Sequence, residues 1–153
     1  MTYRFPSILP LLFALALVPQ GAARAKAVPD RIETANSGVQ YVTGGIGDDS
    51  RQEVNRLARE HHCNVKLVFA RRSGNFVADI PVIVDDAQGN KVLALQKSDS
   101  ILMLRLPPGW YTARAEHNGA EIKHSFEAPE SGVKLIPFSW RKLDNPDAAA
   151  AHK

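Results

Sequence analysis

From Asn64 to Trp140 the chain alternates apolar and polar residues at period two, with turn-forming residues about every ten positions. Val65, Leu67 and Phe69 lead to Ser73-Gly74, and Phe76, Ala78, Ile80, Val82 and Val84 then share one face of the next stretch. Asp85 to Asn90 turns the chain, Val92 to Leu95 makes a short strand, and Ser98-Asp99-Ser100 turns it again. Leu102, Leu104 and Leu106 stop at Pro107-Pro108-Gly109, and Tyr111, Ala113 and Ala115 precede the turn dipeptide Asn118-Gly119. Ile122, His124 and Phe126 run to Pro129–Gly132, before a last strand from Val133 to Trp140. Period two places successive side chains on opposite faces of a sheet. A run of short strands of this kind predicts a mainly β fold, a single β-sandwich of about seven strands.

The turn after Leu106 invites a register. If residues 102–106 and 111–115 are neighbours in one sheet, their inward rows require 106 opposite 111, 104 opposite 113 and 102 opposite 115. The outer row then sets Met103 beside Arg114 and Ile101 beside Glu116. Those two outward apolar residues are candidates for burial beneath a helix.

One helix is expected ahead of the strands, near residues 50–62. Val54, Leu57, Ala58 and His61 fall on one stripe, and Ser50 with Glu53 makes a capping-box pattern. Gly44-Gly45-Ile46-Gly47 leads into it, after a short strand through Val39, Tyr41 and Val42. The sandwich domain is thus expected over 39–143. Residues 26–38 read as a flexible arm and 144–153 as a disordered tail.

Residues 1–25 have the pattern of a cleavable secretory signal: Arg4, an apolar run from Ile8 to Val18, and the small-x-small site Ala23-Arg24-Ala25. Cleavage is expected between Ala25 and Lys26, with Ala27 as the alternative site. The apolar run is about half the length needed to span a bilayer. The single cysteine lies far from the cleavage point, so this is not a lipoprotein signal. The expected location is periplasmic or secreted, with no membrane span in the mature protein. The leader also corrects the charge. The whole chain is +3, but Arg4 and Arg24 fall in the leader, leaving 17 of the 19 basic residues against 16 acidic ones. A near-neutral mature chain gives no footing for phosphate-backbone attraction, and no nucleic-acid partner is expected.

The segment from Ile80 to Ala115 resembles the carboxypeptidase regulatory-like domain, a transthyretin-like β-sandwich. The resemblance rests on the strand that ends in Asp86-Ala87-Gln88-Gly89 and on the stretch Leu106-Pro107-Pro108-Gly109-Trp110-Tyr111-Thr112-Ala113. With the Gly-rich loop, the helix and the Leu67-Val68-Phe69-Ala70 strand, it extends over roughly residues 40–140 and is similar to small exported bacterial proteins. It implies a sandwich with an accessory or binding role in the bacterial envelope, and it implies no catalysis.

Candidate chemistry is sparse. His61-His62-Cys63 could hold a soft metal ion, with His117 or His124 completing the site, but adjacent helical residues point about 100° apart. The plainer reading makes His61 the end of the apolar stripe, leaves His62 in water and buries Cys63 as a small hydrophobe. Gly44–Gly47 lacks the lysine of a phosphate-binding loop, and Asp48-Asp49 would repel an anion there. Neither Asp48-Asp49 nor Asp85-Asp86 sits in a calcium loop, and no Gly-x-Ser-x-Gly elbow is present. Arg71, Arg72, Arg105 and Arg114 could make a basic patch, and Trp110 with Trp140 a carbohydrate platform. No catalytic residue, metal or cofactor is expected. The expected function is a non-catalytic binding or assembly module whose partner is another envelope protein, met through an outward apolar row or an open sheet edge. The alternatives are a periplasmic metal-binding protein using His61, His62 and Cys63, or a carbohydrate-binding module. The sequence does not set the oligomeric state.

Overall fold

The computed structural model describes residues 31–141. The expected signal with its Ala25–Lys26 junction, the first part of the arm, and the tail 144–153 lie outside the described residues. The fold is mainly β, with one helix among the described residues. In chain order the elements are β1 (Glu33–Thr34), β2 (Gln40–Gly44), α1 (Asp48–Glu60), β3 (Val65–Arg71), β4 (Ile80–Asp86), β5 (Lys91–Ser98), β6 (Ile101–Arg105), β7 (Gly109–His117), β8 (Ala120–Ala128) and β9 (Lys134–Trp140). One sheet has the order β1-β2-β6-β3-β9 and the other β5-β4-β7-β8. The nine strands among the described residues exceed the seven expected, partly because β1 is only a two-residue pairing on β2. It falls within residues 31–38 of the expected arm, where the Tyr41 hydroxyl donates to Glu33.

The alternation buries one face of each sheet. Val65, Leu67, Phe69, Leu102, Leu104, Ile136 and Phe138 meet Ile80, Val82, Val84, Ala113, Ala115 and Phe126 in a single core. Phe69, Phe138 and Trp140 extend it as an aromatic row, with Phe69 and Phe138 centroids 5.4 Å apart. Turn chemistry follows the residues. Asn118 and Gly119 both take positive φ, 51° and 78°, as the mirror-type two-residue hairpin between β7 and β8 requires. Asp86 closes the β4–β5 turn by accepting from the backbone N–H groups of Gln88 and Asn90.

Three expectations need correction. The expected hairpin of residues 102–106 with 111–115 does not form. β6 pairs with β2 and β3, and Leu106-Pro107-Pro108 carries the chain across to β7 in the other sheet. The inward rows are as read, because rows facing each other across a sandwich obey the same parity as rows paired within a sheet. Met103 therefore lies opposite Val42 and Lys66, not Arg114. The shared face expected from Phe76 to Val84 also breaks. Asp79 has φ 57°, which flips the parity, so Val77 is buried and Phe76 is 49% exposed. Finally, no capping box forms. The helix starts two residues earlier than read, and Ser50 sits buried in its first turn, accepting from the Gly45 N–H at 2.8 Å. Glu53 instead pairs with Arg56.

α1 lies on the outer face of β2 and β6. Val54, Leu57, Ala58 and Cys63 cover Val42, Ile101 and Met103 in a second core, so the outward apolar pair has its helix. Gly45 fixes the approach: its φ is 100°, and a Cβ there would stand 2.7 Å from Ile101. Beyond the helix the outer row of β9, Leu135, Pro137 and Ser139, is exposed, and that of β3, Lys66, Val68 and Ala70, is half-buried.

Candidate binding face

The helix ends in a double-bonded C-terminal turn. Cys63 N–H donates to Ala58 C=O at 2.8 Å, and His62 N–H to Arg59 C=O at 3.2 Å, the Schellman pattern. His62 holds the left-handed position at φ 54°, where glycine is usual. This turn throws His62 into water and folds Cys63 beneath the helix.

Asn64 then ties three segments together. Its side-chain Nδ2 donates to Leu106 C=O at 2.8 Å and to Pro129 C=O at 2.9 Å, while its Oδ1 accepts from Leu106 N–H at 2.9 Å. The backbone of Asn64 adds bonds to Leu104 and Lys134. The start of β3, the crossover after β6 and the loop before β9 thus meet at one amide. No sequence period flags it, since Asn64 stands between a helical and a strand pattern.

Around this knot open two adjoining clefts. One, of about 570 Å³, runs between α1 and the loop before β9, with Arg59, Lys66, Met103 and Val133 on its walls. The other, of about 640 Å³, lies toward Arg105, Pro107 and Pro108. His62, Asn64 and Glu130 line both. Beside the first cleft Val133 and Leu135 are 55% and 57% exposed. Among the described residues Arg59, Lys66 and Arg105 form no ion pair, whereas Arg51, Arg56, Lys97 and Arg114 do. The trough therefore combines apolar surface with three cations, Arg59, Lys66 and Arg105, and one carboxylate, Glu130, none of which forms an ion pair among the described residues.

The expected site residues are dispersed. His62 and Cys63 reach the first cleft, but burial pushes the Cys63 thiol up to about 11, which suppresses the thiolate a metal or an electrophile needs. His117 and His124 lie elsewhere, His117 tilted against Trp140 and His124 edge-on to Phe138. Trp140 pairs with Arg71 at the far end of β3 from Asn64, so His117 cannot complete a site with His62. Among the described residues no three of His, Cys, Asp or Glu converge as metal ligands. Trp140 is 3% exposed and donates its Nε1–H to Ala120 C=O, so it cannot join the 59%-exposed Trp110 in a flat sugar platform. Arg105 lines the trough while Arg114 pairs with Asp85 on the other sheet at 2.7 Å, so they do not share a patch. Asp48 is engaged by Arg51. Among the described residues no helix is long and apolar enough to cross a membrane. No family model matches the chain, and no curated protein matches it.

Proposed function

We propose that this protein is an exported, non-catalytic β-sandwich module of the carboxypeptidase regulatory-like kind, and that it binds another envelope protein. The binding face is the half of the outer sheet surface that α1 does not cover, together with the trough at the end of the helix. The observation carrying this reading is the juxtaposition of Val133 and Leu135, both more than half exposed, with the unpaired cations Arg59 and Lys66. Exposed apolar area rimmed by charge is the usual anatomy of a protein-contact surface. The signal-like pattern of residues 1–25 supports the compartment.

A photocrosslinking amino acid at Leu135, in the native envelope, tests the reading. The expected result is one discrete adduct that disappears in Arg59→Glu/Lys66→Glu, while the same probe at Glu116 on the opposite sheet gives none. No adduct at Leu135, or one indifferent to charge reversal, counts against it.

A further inference from the structure

Two sheets have four edges, and three of them are blunted. β1 is two residues long. The β4–β5 ladder shifts register twice, and the Ser37 hydroxyl caps the Val92 carbonyl on the β5 side. In β9, Lys134 N–H donates to Asn64 and Trp140 C=O accepts from Arg72, so alternate residues Leu135, Pro137 and Ser139 direct their backbone groups outward. Pro137 has no N–H to offer there, a common defence of an edge strand.

β8 carries no proline and no register shift; at its start the Trp140 indole of β9 donates to Ala120 C=O, and the open stretch follows from Glu121. The strand runs nine residues, with each residue from Ala120 to Ala128 in continuous register with β7. A two-residue hairpin makes His117 and Ala120 exchange both backbone bonds. Counting from there, Ile122, His124 and Phe126 bond to β7, and Glu121, Lys123, Ser125 and Glu127 turn their N–H and C=O groups to the open edge. All four of those side chains are exposed.

The charges along this edge are self-complementary in two registers, and strand overlap separates them. An axis at Ile122 sets Glu121 opposite Lys123 but pairs only residues 120–124 of β8, whereas an axis at Ser125 pairs residues 122–128. An antiparallel β8–β8 pairing with its two-fold axis at Ser125 sets Lys123 of each copy opposite Glu127 of the other. Moving the axis to Lys123 or Glu127 opposes like charges, and moving it to His124 opposes Glu121 to Glu127. Like charges directly opposite one another destabilise a ladder, and unlike charges stabilise it. Ser125, small and hydrogen-bonded to Thr112 at 3.0 Å, leaves the axis unobstructed. We infer that β8 is a self-association edge, joining two copies of the chain into one continuous sheet with Ser125 at the two-fold axis. This surface is separate from the trough and its test is independent of the proposed function.

Sedimentation equilibrium of the purified protein tests it. The wild type is expected to show a concentration-dependent dimer. Lys123→Glu and Glu127→Lys should each weaken it about tenfold, since each reverses two symmetry-related pairs. Mixing these two variants should restore association, as should the double exchange Lys123→Glu/Glu127→Lys. Ser125→Pro should give a monomer with an unchanged unfolding transition, because its N–H serves no bond within the monomer. A wild type that stays monomeric at every concentration overturns the inference. So does a dimer that ignores Ser125→Pro, or charge variants that fail to complement each other.

Discussion

His62 carries backbone strain that its side chain does nothing to relieve. A non-glycine residue in the left-handed region costs on the order of 1–2 kcal/mol, and His62 sits there at φ 54° with its imidazole exposed. Replacing it with glycine also loosens the unfolded chain, which offsets part of the gain. His62→Gly is therefore expected to stabilise the fold by about 0.5–1 kcal/mol in urea unfolding. If the imidazole had a structural partner, the same change would destabilise instead. His117 behaves differently. Burial, with Arg71 nearby, holds its imidazole below the usual 6.5. The unfolded state then binds the proton more readily, so this contribution to stability is complete above pH 6.5 and is lost as pH falls through the lower folded value. Stability measured across that window should decline with acid, and His117→Gln should flatten the decline. An unchanged slope would place the titration elsewhere.

The Asn64 junction governs how the elements are joined. Its side chain makes three hydrogen bonds to the crossover after β6 and the loop before β9. Removing them strands partly buried backbone groups, so Asn64→Ala should cost about 2–4 kcal/mol in chemical denaturation. A cost near zero would mean that water replaces the amide without loss. Periodicity reached the elements but not this junction. Leu102, Leu104 and Leu106 and then Tyr111, Ala113 and Ala115 reveal their buried face in the sequence, because side-chain parity is a local property. Whether those rows meet within a sheet or across the core is not local: residues 101–105 pair with β2 and β3, and residues 111–115 with β4. Phe76 shows the complementary limit, since one left-handed residue at Asp79 reversed the parity without any mark in the hydrophobic pattern. The burial of Cys63 was legible from its position between helix and strand. The trough was not, because Arg59, Lys66, Arg105 and Val133 come from four separate stretches that only the completed topology assembles.

The whole molecule is asymmetric in how it covers its sheets. α1 shields β2 and β6 with a second apolar core, while the outer face is half-buried on β3 and exposed on β9, bordered by unpaired cations. The protein's proposed role depends on that face being occupied in its native setting. Thiol accessibility reports this occupancy directly. In a Cys63→Ala background, which removes the one native thiol, single cysteines are placed at Leu135 and at Glu116 on the opposite sheet. Both positions are exposed in the isolated protein, so both should react rapidly with a membrane-impermeant reagent after purification. In the intact native envelope, Leu135→Cys is predicted to react much more slowly while Glu116→Cys keeps its rate. Equal rates for Leu135→Cys in the envelope and in the purified protein would contradict the account.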